Sequence, residues 1–410
     1  MPVALCVAIA GLAGCGATNT TAAANRVSGD TLTIYSSVPL HGASSVSGQA
    51  VVDGERIALQ RVGGRIGSDR VVLRVLDDST PQSGEWNPGQ TTLNARQATE
   101  DRTTIGYIGD LNSGATAISI PPLNRVGIPQ ISPTSTAVGL TENAPGASPG
   151  EPLKYYPTGV RTFARVIPSD SVQAAAMVGL QVSAGCTKTY VLEDGEVDGE
   201  DAAVTFELAA RSSPLQVVAV QMFDPKASDY SSLAASVAQT GARCVLISAI
   251  TENNTVLLTK QIAATLPHAL IFGFAGMAES TYTDPAQGGI PAALDPWVLL
   301  TVPGLGAAAD SPAARAFAST FARQYGQPQP SAMFGFEAMN LMLSAIARAT
   351  NGGRRAVQRS KVLAAIFATR NRHGAIGTYS IDRNGDTTLS RVGVYRVIDG
   401  RLTLWKAIDV

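Results

Sequence analysis

The chain has 410 residues, 45% of them hydrophobic and 15% charged, with 40 Gly, 23 Pro and a formal net charge of −1. That length suits about two domains, and that composition describes a globular, turn-rich chain rather than a disordered one. No block of like charges supplies the basic face that nucleic-acid binding needs, so that class of partner is excluded.

Residues 3–13 form an apolar run too short to span a bilayer, ending in Leu12-Ala13-Gly14-Cys15. A short apolar segment before small residues reads as a secretory signal. The LAGC sequence resembles the bacterial lipobox, in which the Cys is lipidated and becomes the mature N-terminus, although no Lys or Arg precedes the apolar run. Residues 1–15 are therefore read as a lipoprotein signal with Cys15 as the lipidation site. Residues 16–30, rich in Ala, Thr, Asn and Gly at their start, are read as a flexible tether. Of the four Cys, Cys6 and Cys15 fall in this leader. An exported chain meets an oxidising compartment, so the remaining pair, Cys186 and Cys244, suggests one disulfide. Two Cys without a His cluster make a poor zinc set.

The elements alternate. Residues 30–36 alternate as a strand, 39–48 form a loop, and 49–62 read as a helix with Val51, Ala58, Leu59 and Val62 on one face. Residues 70–77 are a second strand, 78–89 a polar turn region and 90–100 a helix. The stretch 104–136 organises the rest: a strand at 105–108, a capped helix start at Asn112, Ser113 and Gly114, and a helix over 115–120 that Pro121 and Pro122 disturb. A strand at 129–132 then opens onto Pro133-Thr134-Ser135-Thr136. Both loops leave the carboxyl ends of strands, where α/β sheets bind ligands. A helix N-terminus with Ser113, Thr134 and Thr136 nearby suits an anion such as a carboxylate. The same residues also serve as ordinary capped loops.

Residues 140–157 read as irregular, 162–167 as extended and 171–184 as a helix. A second α/β series follows, with strands at 189–193, 216–222, 244–248 and 269–273 separated by helices near 202–211, 231–240 and 254–266. Residues 295–302 are extended; helices follow at 313–325, 332–350 and 360–368. The tail reads as strands at 374–382, 391–397 and 401–408, with a hairpin turn at 382–386. This strand–helix repetition marks parallel sheets with helices on both faces.

The order of these elements resembles the type I solute-binding proteins of ABC transporters, the group that includes the leucine/isoleucine/valine-binding proteins. The resemblance covers nearly all of 32–410. Its carriers include Gly48-Gln49, Gly54-Glu55-Arg56, Val75-Leu76-Asp77-Asp78, Ile108-Gly109 and Gly127-Ile128-Pro129. Further on come Phe163-Ala164-Arg165, Pro168-Ser169-Asp170, Phe336-Glu337-Ala338, Gly393-Val394-Tyr395 and Asp399-Gly400. It implies a two-lobed α/β clamp joined by three hinge crossings. Lobe one would be 31–161 with 282–370, and lobe two 162–281 with 371–410.

The resemblance further implies a small polar solute, an amino acid or amino-acid-like compound, gripped between closing lobes and passed to an ABC permease. It implies an extracytoplasmic location with contact to the membrane through the lipid anchor alone. The solute carboxylate would be held by Ser113, beside Asn112, and by Thr134 and Thr136. The acid that holds the ammonium in relatives is replaced by Ala275, with Glu279 nearby. Asp198 and Ser47 stand where relatives place aromatics, and an aromatic near Ile250 is missing too. With Glu193, Asp194, Glu196, Glu200 and Asp201 around it, Asp198 also reads as a solvated carboxylate of an acidic turn.

An enzyme needs a catalytic set. The three His, His41, His268 and His373, are scattered, and neither a G-x-S-x-G elbow nor a phosphate-binding G-x-x-x-x-G-K-[ST] loop occurs. His41 falls on a cleft-side loop as a polar residue, and no cofactor or metal is expected. The same fold also serves ligand-sensing lipoproteins that signal without transport.

Overall fold

A computed structural model describes residues 25–27, 29–81, 84–305 and 311–410. The segment read as a signal, with Cys15, and the segment read as a tether through residue 24 lie outside the described residues.

Two sheets carry the fold. The first contains β1 (Thr31–Val38), β2 (Arg65–Ile66), β3 (Asp69–Asp77), β4 (Thr104–Gly109), β5 (Gln130–Ser132) and β6 (Phe163–Arg165), in the order β2-β3-β1-β4-β5-β6. Its pairs are parallel except β2 with β3. Helices α1 (Ser45–Arg61), α2 (Pro88–Glu100) and α3 (Ser113–Arg125) connect its strands. Covered by helices, β1 and β4 are buried almost throughout, so the alternation read in residues 30–36 does not mark a solvent-facing side.

The second series runs α4 (Asp170–Ser183), β7 (Lys188–Glu193), α5 (Val197–Ala210), β8 (Gln216–Met222), α6 (Ser231–Gln239), β9 (Cys244–Ser248), α7 (Thr255–Thr265), β10 (Leu270–Gly273), α8 (Ser280–Thr283) and β11 (Val298–Pro303). Then come α9 (Pro312–Tyr325), α10 (Pro330–Thr350), α11 (Arg359–Phe367), the small hairpin β12 (Arg372–Gly374) with β13 (Gly377–Tyr379), and the antiparallel pair β14 (Arg391–Ile398) and β15 (Arg401–Asp409). The second sheet has the order β15-β14-β11-β10-β9-β7-β8.

The crossings between sheets differ from the expected 161, 282 and 371. β6 hydrogen-bonds into the first sheet beside β5, so the chain leaves that sheet after Arg165. β11 sits in the second sheet between β10 and β14, so the return follows Pro303. The segment around β12, β13 and the 382–386 turn stays with the first lobe: Glu337 of α10 accepts from Arg372, Tyr379 and the Ala375 N–H. The Gly385 carbonyl likewise accepts from the Arg165 N–H. Strand partners are set by distant residues, which local sequence does not reveal.

Two element readings also change. Helix α3 runs through Pro121 and Pro122 to Arg125. Burial of Ile120 and Leu123 outweighs the two backbone bonds the prolines cannot make. The strand expected over 374–382 is the short β12–β13 hairpin. Its following turn is held by Asp382 Oδ1, which accepts from the N–H groups of Asn384, Gly385 and Asp386.

Helices α1 and α10 cross with their backbones almost touching. A Cβ on Gly54 would lie 2.1 Å from the Ala332 carbonyl oxygen, and one on Gly335 would lie 2.3 Å from that of Val51. Beside this crossing, Glu55 is fully buried; Ser36 Oγ donates to its Oε1 at 2.9 Å, and its Oε2 has no partner. Burial pushes the Glu55 pKa up to about 8. The unfolded chain ionises a Glu near 4.5, so folding takes up a proton between these values and stability falls as pH rises through that window. Glu55→Gln stays neutral at every pH. From pH 4.5 to 7, wild type is expected to lose on the order of 3 kcal/mol more than the variant, read by urea unfolding. Parallel pH profiles would contradict this.

Candidate ligand-binding site

The site forms where the carboxyl ends of both sheets face each other. In the first sheet β1 leads to α1 and β4 to α3, and their strands go to opposite sides of β1, which makes this a topological switch point. In the second sheet β8 and β9 likewise flank β7. Loops from these ends enclose a cavity of about 80 Å³.

All eight residues expected at the ligand, Ser47, Asn112, Ser113, Thr134, Thr136, Asp198, Ile250 and Ala275, line this one cavity. Asn112 and Ser113 begin α3, and the buried Asn112 Oδ1 has no partner. The Thr134 hydroxyl is already engaged, donating to the Leu111 carbonyl at 2.7 Å. Ser47 lies in the first turn of α1, while Ile250 and Ala275 follow β9 and β10.

Asp198 is not the solvated carboxylate that its acidic neighbours suggest. Helix α5 starts at Val197, earlier than expected, because Asp198 and Glu200 in its first turn complement the helix dipole. This aims Asp198 across the cleft. Its Oδ1 accepts from Ser113 Oγ at 2.7 Å and from Thr136 Oγ1 at 2.8 Å. The acidic run is largely folded inward: Asp194 and Asp201 are buried. Burial raises the pKa of Asp194 to about 6, Glu196 to about 7 and Asp201 to about 8.

Other contacts tie the lobes together at the same place. The Ser44 N–H donates to Glu252 Oε1 at 2.6 Å, and Thr281 Oγ1 donates to the Ala43 carbonyl at 3.0 Å.

The sequence reading missed several walls. Ser331 and Phe334 come from α10, brought in by its close crossing with α1, so the cavity does have an aromatic wall. The glycines at 54 and 335 were the available signal. Ile167 and Val302 add apolar surface, and Glu279, considered only as a substitute acid, lines the cavity and is 5% exposed. Burial, then the nearby Glu252, push its carboxyl well up. His41 stands apart from the cavity lining, its Nδ1 2.6 Å from Asp77 Oδ2.

This architecture agrees with the sequence, which matches the periplasmic binding protein family over residues 31–401. The chain belongs to the periplasmic binding protein family. Such proteins bind solutes and are not enzymes. A leucine-binding protein from Thermotoga maritima superposes with a TM-score of 0.78 at 22% identity, covering 92% of this chain and 99% of that one. The branched-chain amino acid transporter substrate-binding protein of Streptococcus pneumoniae, in complex with isoleucine, gives a TM-score of 0.74 at 16% identity over 93% and 100%. A solute-binding protein of an ABC transporter from Rhodopseudomonas palustris, in complex with 3,4-dihydroxybenzoic acid, gives a TM-score of 0.73 at 15% identity over 93% and 98%. At these identities the likeness establishes the periplasmic binding protein fold alone. No curated protein matches the chain significantly in sequence. Among the described residues no helix is long and apolar enough to cross a membrane.

Proposed function

We propose that this periplasmic binding protein is an extracytoplasmic lipoprotein, anchored through Cys15, that captures a small polar solute between its lobes and delivers it to an ABC permease. The two lobes are hinged, and closure buries the solute. The observation that carries this reading is a cavity with walls from both sheets, spanned by lobe-to-lobe hydrogen bonds at Ser44, Thr281, Ser113 and Thr136. These bonds exist only with the lobes together, so they reward closure and give it a fixed geometry.

Thermal-shift screening of the purified protein against amino acids, polyamines, amides and small carboxylates tests it. A true solute raises the melting point in a concentration-dependent way, by mass action. Ser113→Ala and Thr136→Ala are each expected to weaken solute binding by about 1–3 kcal/mol, because each leaves the Asp198 carboxylate short of a donor in the closed form. Unchanged affinity in both variants would remove the cradle from the site.

A further inference from the structure

The donors best placed for a solute carboxylate are already spent on a carboxylate of this chain. Ser113 Oγ and Thr136 Oγ1 both donate to Asp198 Oδ1, and each hydroxyl has one proton to give. The N–H groups of Thr136 and Ala137 donate to Ser113 Oγ, both at 3.2 Å, so they point at the hydroxyl rather than into free space. An incoming carboxylate would have to displace Asp198 and then lie beside it. Asp170 is buried nearby, and its carboxyl is pushed up by burial and then by Asp198 and Asp201. The Arg165 guanidinium that faces this region is committed to Asp386, to the carbonyls of Ser135 and Ala137, and to the Thr141 hydroxyl.

A second carboxylate on the cavity wall has the opposite need. Glu279 interacts with the hydroxyls of Ser44, Ser47 and Thr281 and lies against Glu252, whose Oε2 is buried without a partner. Among the described residues, the cavity lining holds these two carboxylates, Asp198 and Glu279, and no Lys, Arg or His. Phe334, Ile167, Ile250 and Val302 supply apolar surface.

We propose that the solute is a small organic cation without a free carboxylate, an amine or amidine on an apolar body, with its charged head against Glu279 while Asp198 fills the Ser113–Thr136 cradle and latches the lobes. A cation takes the place of the proton that burial and Glu252 favour on Glu279, that proton leaving to solvent, and charge-assisted bonds of this kind are the strong ones. The inference rests on the solute-binding reading above and narrows its solute class.

Matched pairs test it, by calorimetric titration of the mature, disulfide-intact protein: isobutylamine against valine, isopentylamine against leucine, putrescine against ornithine, with benzoate and acetamide as anionic and neutral members. The expected result is an amine that binds about tenfold or more tightly than its carboxylated partner. Glu279→Gln then weakens that amine by a similar factor, and Asp198→Asn narrows the preference by freeing the cradle for a carboxylate. An amino acid binding as tightly as its amine, or benzoate or acetamide binding while every amine fails, overturns the cation and leaves solute capture intact. If no member of the panel binds, both readings fall.

Discussion

Arg165→Ala is expected to destabilise the protein by about 3–5 kcal/mol, the cost of removing a buried guanidinium and leaving the partly buried Asp386 and its other acceptors unpaired. Arg165 is fully buried at the end of β6, where the chain leaves the first sheet. Its Nε donates to Asp386 Oδ1 at 2.6 Å. One terminal nitrogen donates to the Ser135 and Ala137 carbonyls at 3.3 and 2.8 Å, and the other to Thr141 Oγ1 at 2.7 Å. A single guanidinium thus ties the 382–386 turn to the turn carrying Thr136. Arg165→Lys keeps the charge but not the planar fork, so it recovers part of the loss. The double variant Arg165→Ala/Asp386→Asn is expected to cost less than Arg165→Ala and Asp386→Asn added together, because each single change strands the other partner. Urea unfolding of the four proteins reads this. Additive losses would show that Arg165 and Asp386 act independently.

Removing the Cys186–Cys244 bond is expected to cost about 4 kcal/mol, the chain-entropy value for a closed loop of this length. The sulfurs are bonded at 2.01 Å across 58 residues of sequence. The bond joins the turn before β7 to the start of β9, and Cys244 is in register with Thr189 on the neighbouring strand. Both Cys are buried in an apolar cluster with Val191, Leu246 and Phe272. The double variant Cys186→Ala/Cys244→Ala should match reduced wild type in stability and respond no further to reductant. A stability equal to that of oxidised wild type would contradict this, as would two reactive thiols in the oxidised, denatured mature protein.

Much of the fold was legible because its signals are local. Strand–helix alternation, the alternating run of β1, the β-rich run of β4 and the start of α3 after Asn112 all follow from neighbouring residues, although Asn112 makes no side-chain cap. The hydroxyl cradle was legible for the same reason: Ser113 and Thr136 lie at the ends of adjacent strands of one sheet. What was not legible depends on distant partners. The pairing of β6 and β11, which moves the crossings between the sheets, is decided by strands far away in sequence. The reach of Asp198 depends on two lobes meeting, while the acidic residues around it in the chain, Glu193, Asp194, Glu196, Glu200 and Asp201, describe an exposed turn. Phe334 reaches the cavity only because Gly54 and Gly335 let two remote helices touch. Pro121 and Pro122 read as helix breakers, and only the burial of Ile120 and Leu123 shows why they are tolerated.

Small-angle X-ray scattering of the mature protein, without and with saturating amounts of whichever solute raises its melting point, bears most directly on capture by lobe closure. The expected result is a radius of gyration that falls on saturation, with the saturated curve fitting the closed arrangement in which Asp198 meets Ser113 and Thr136. Identical curves in the two states, for a solute shown calorimetrically to bind, would contradict it.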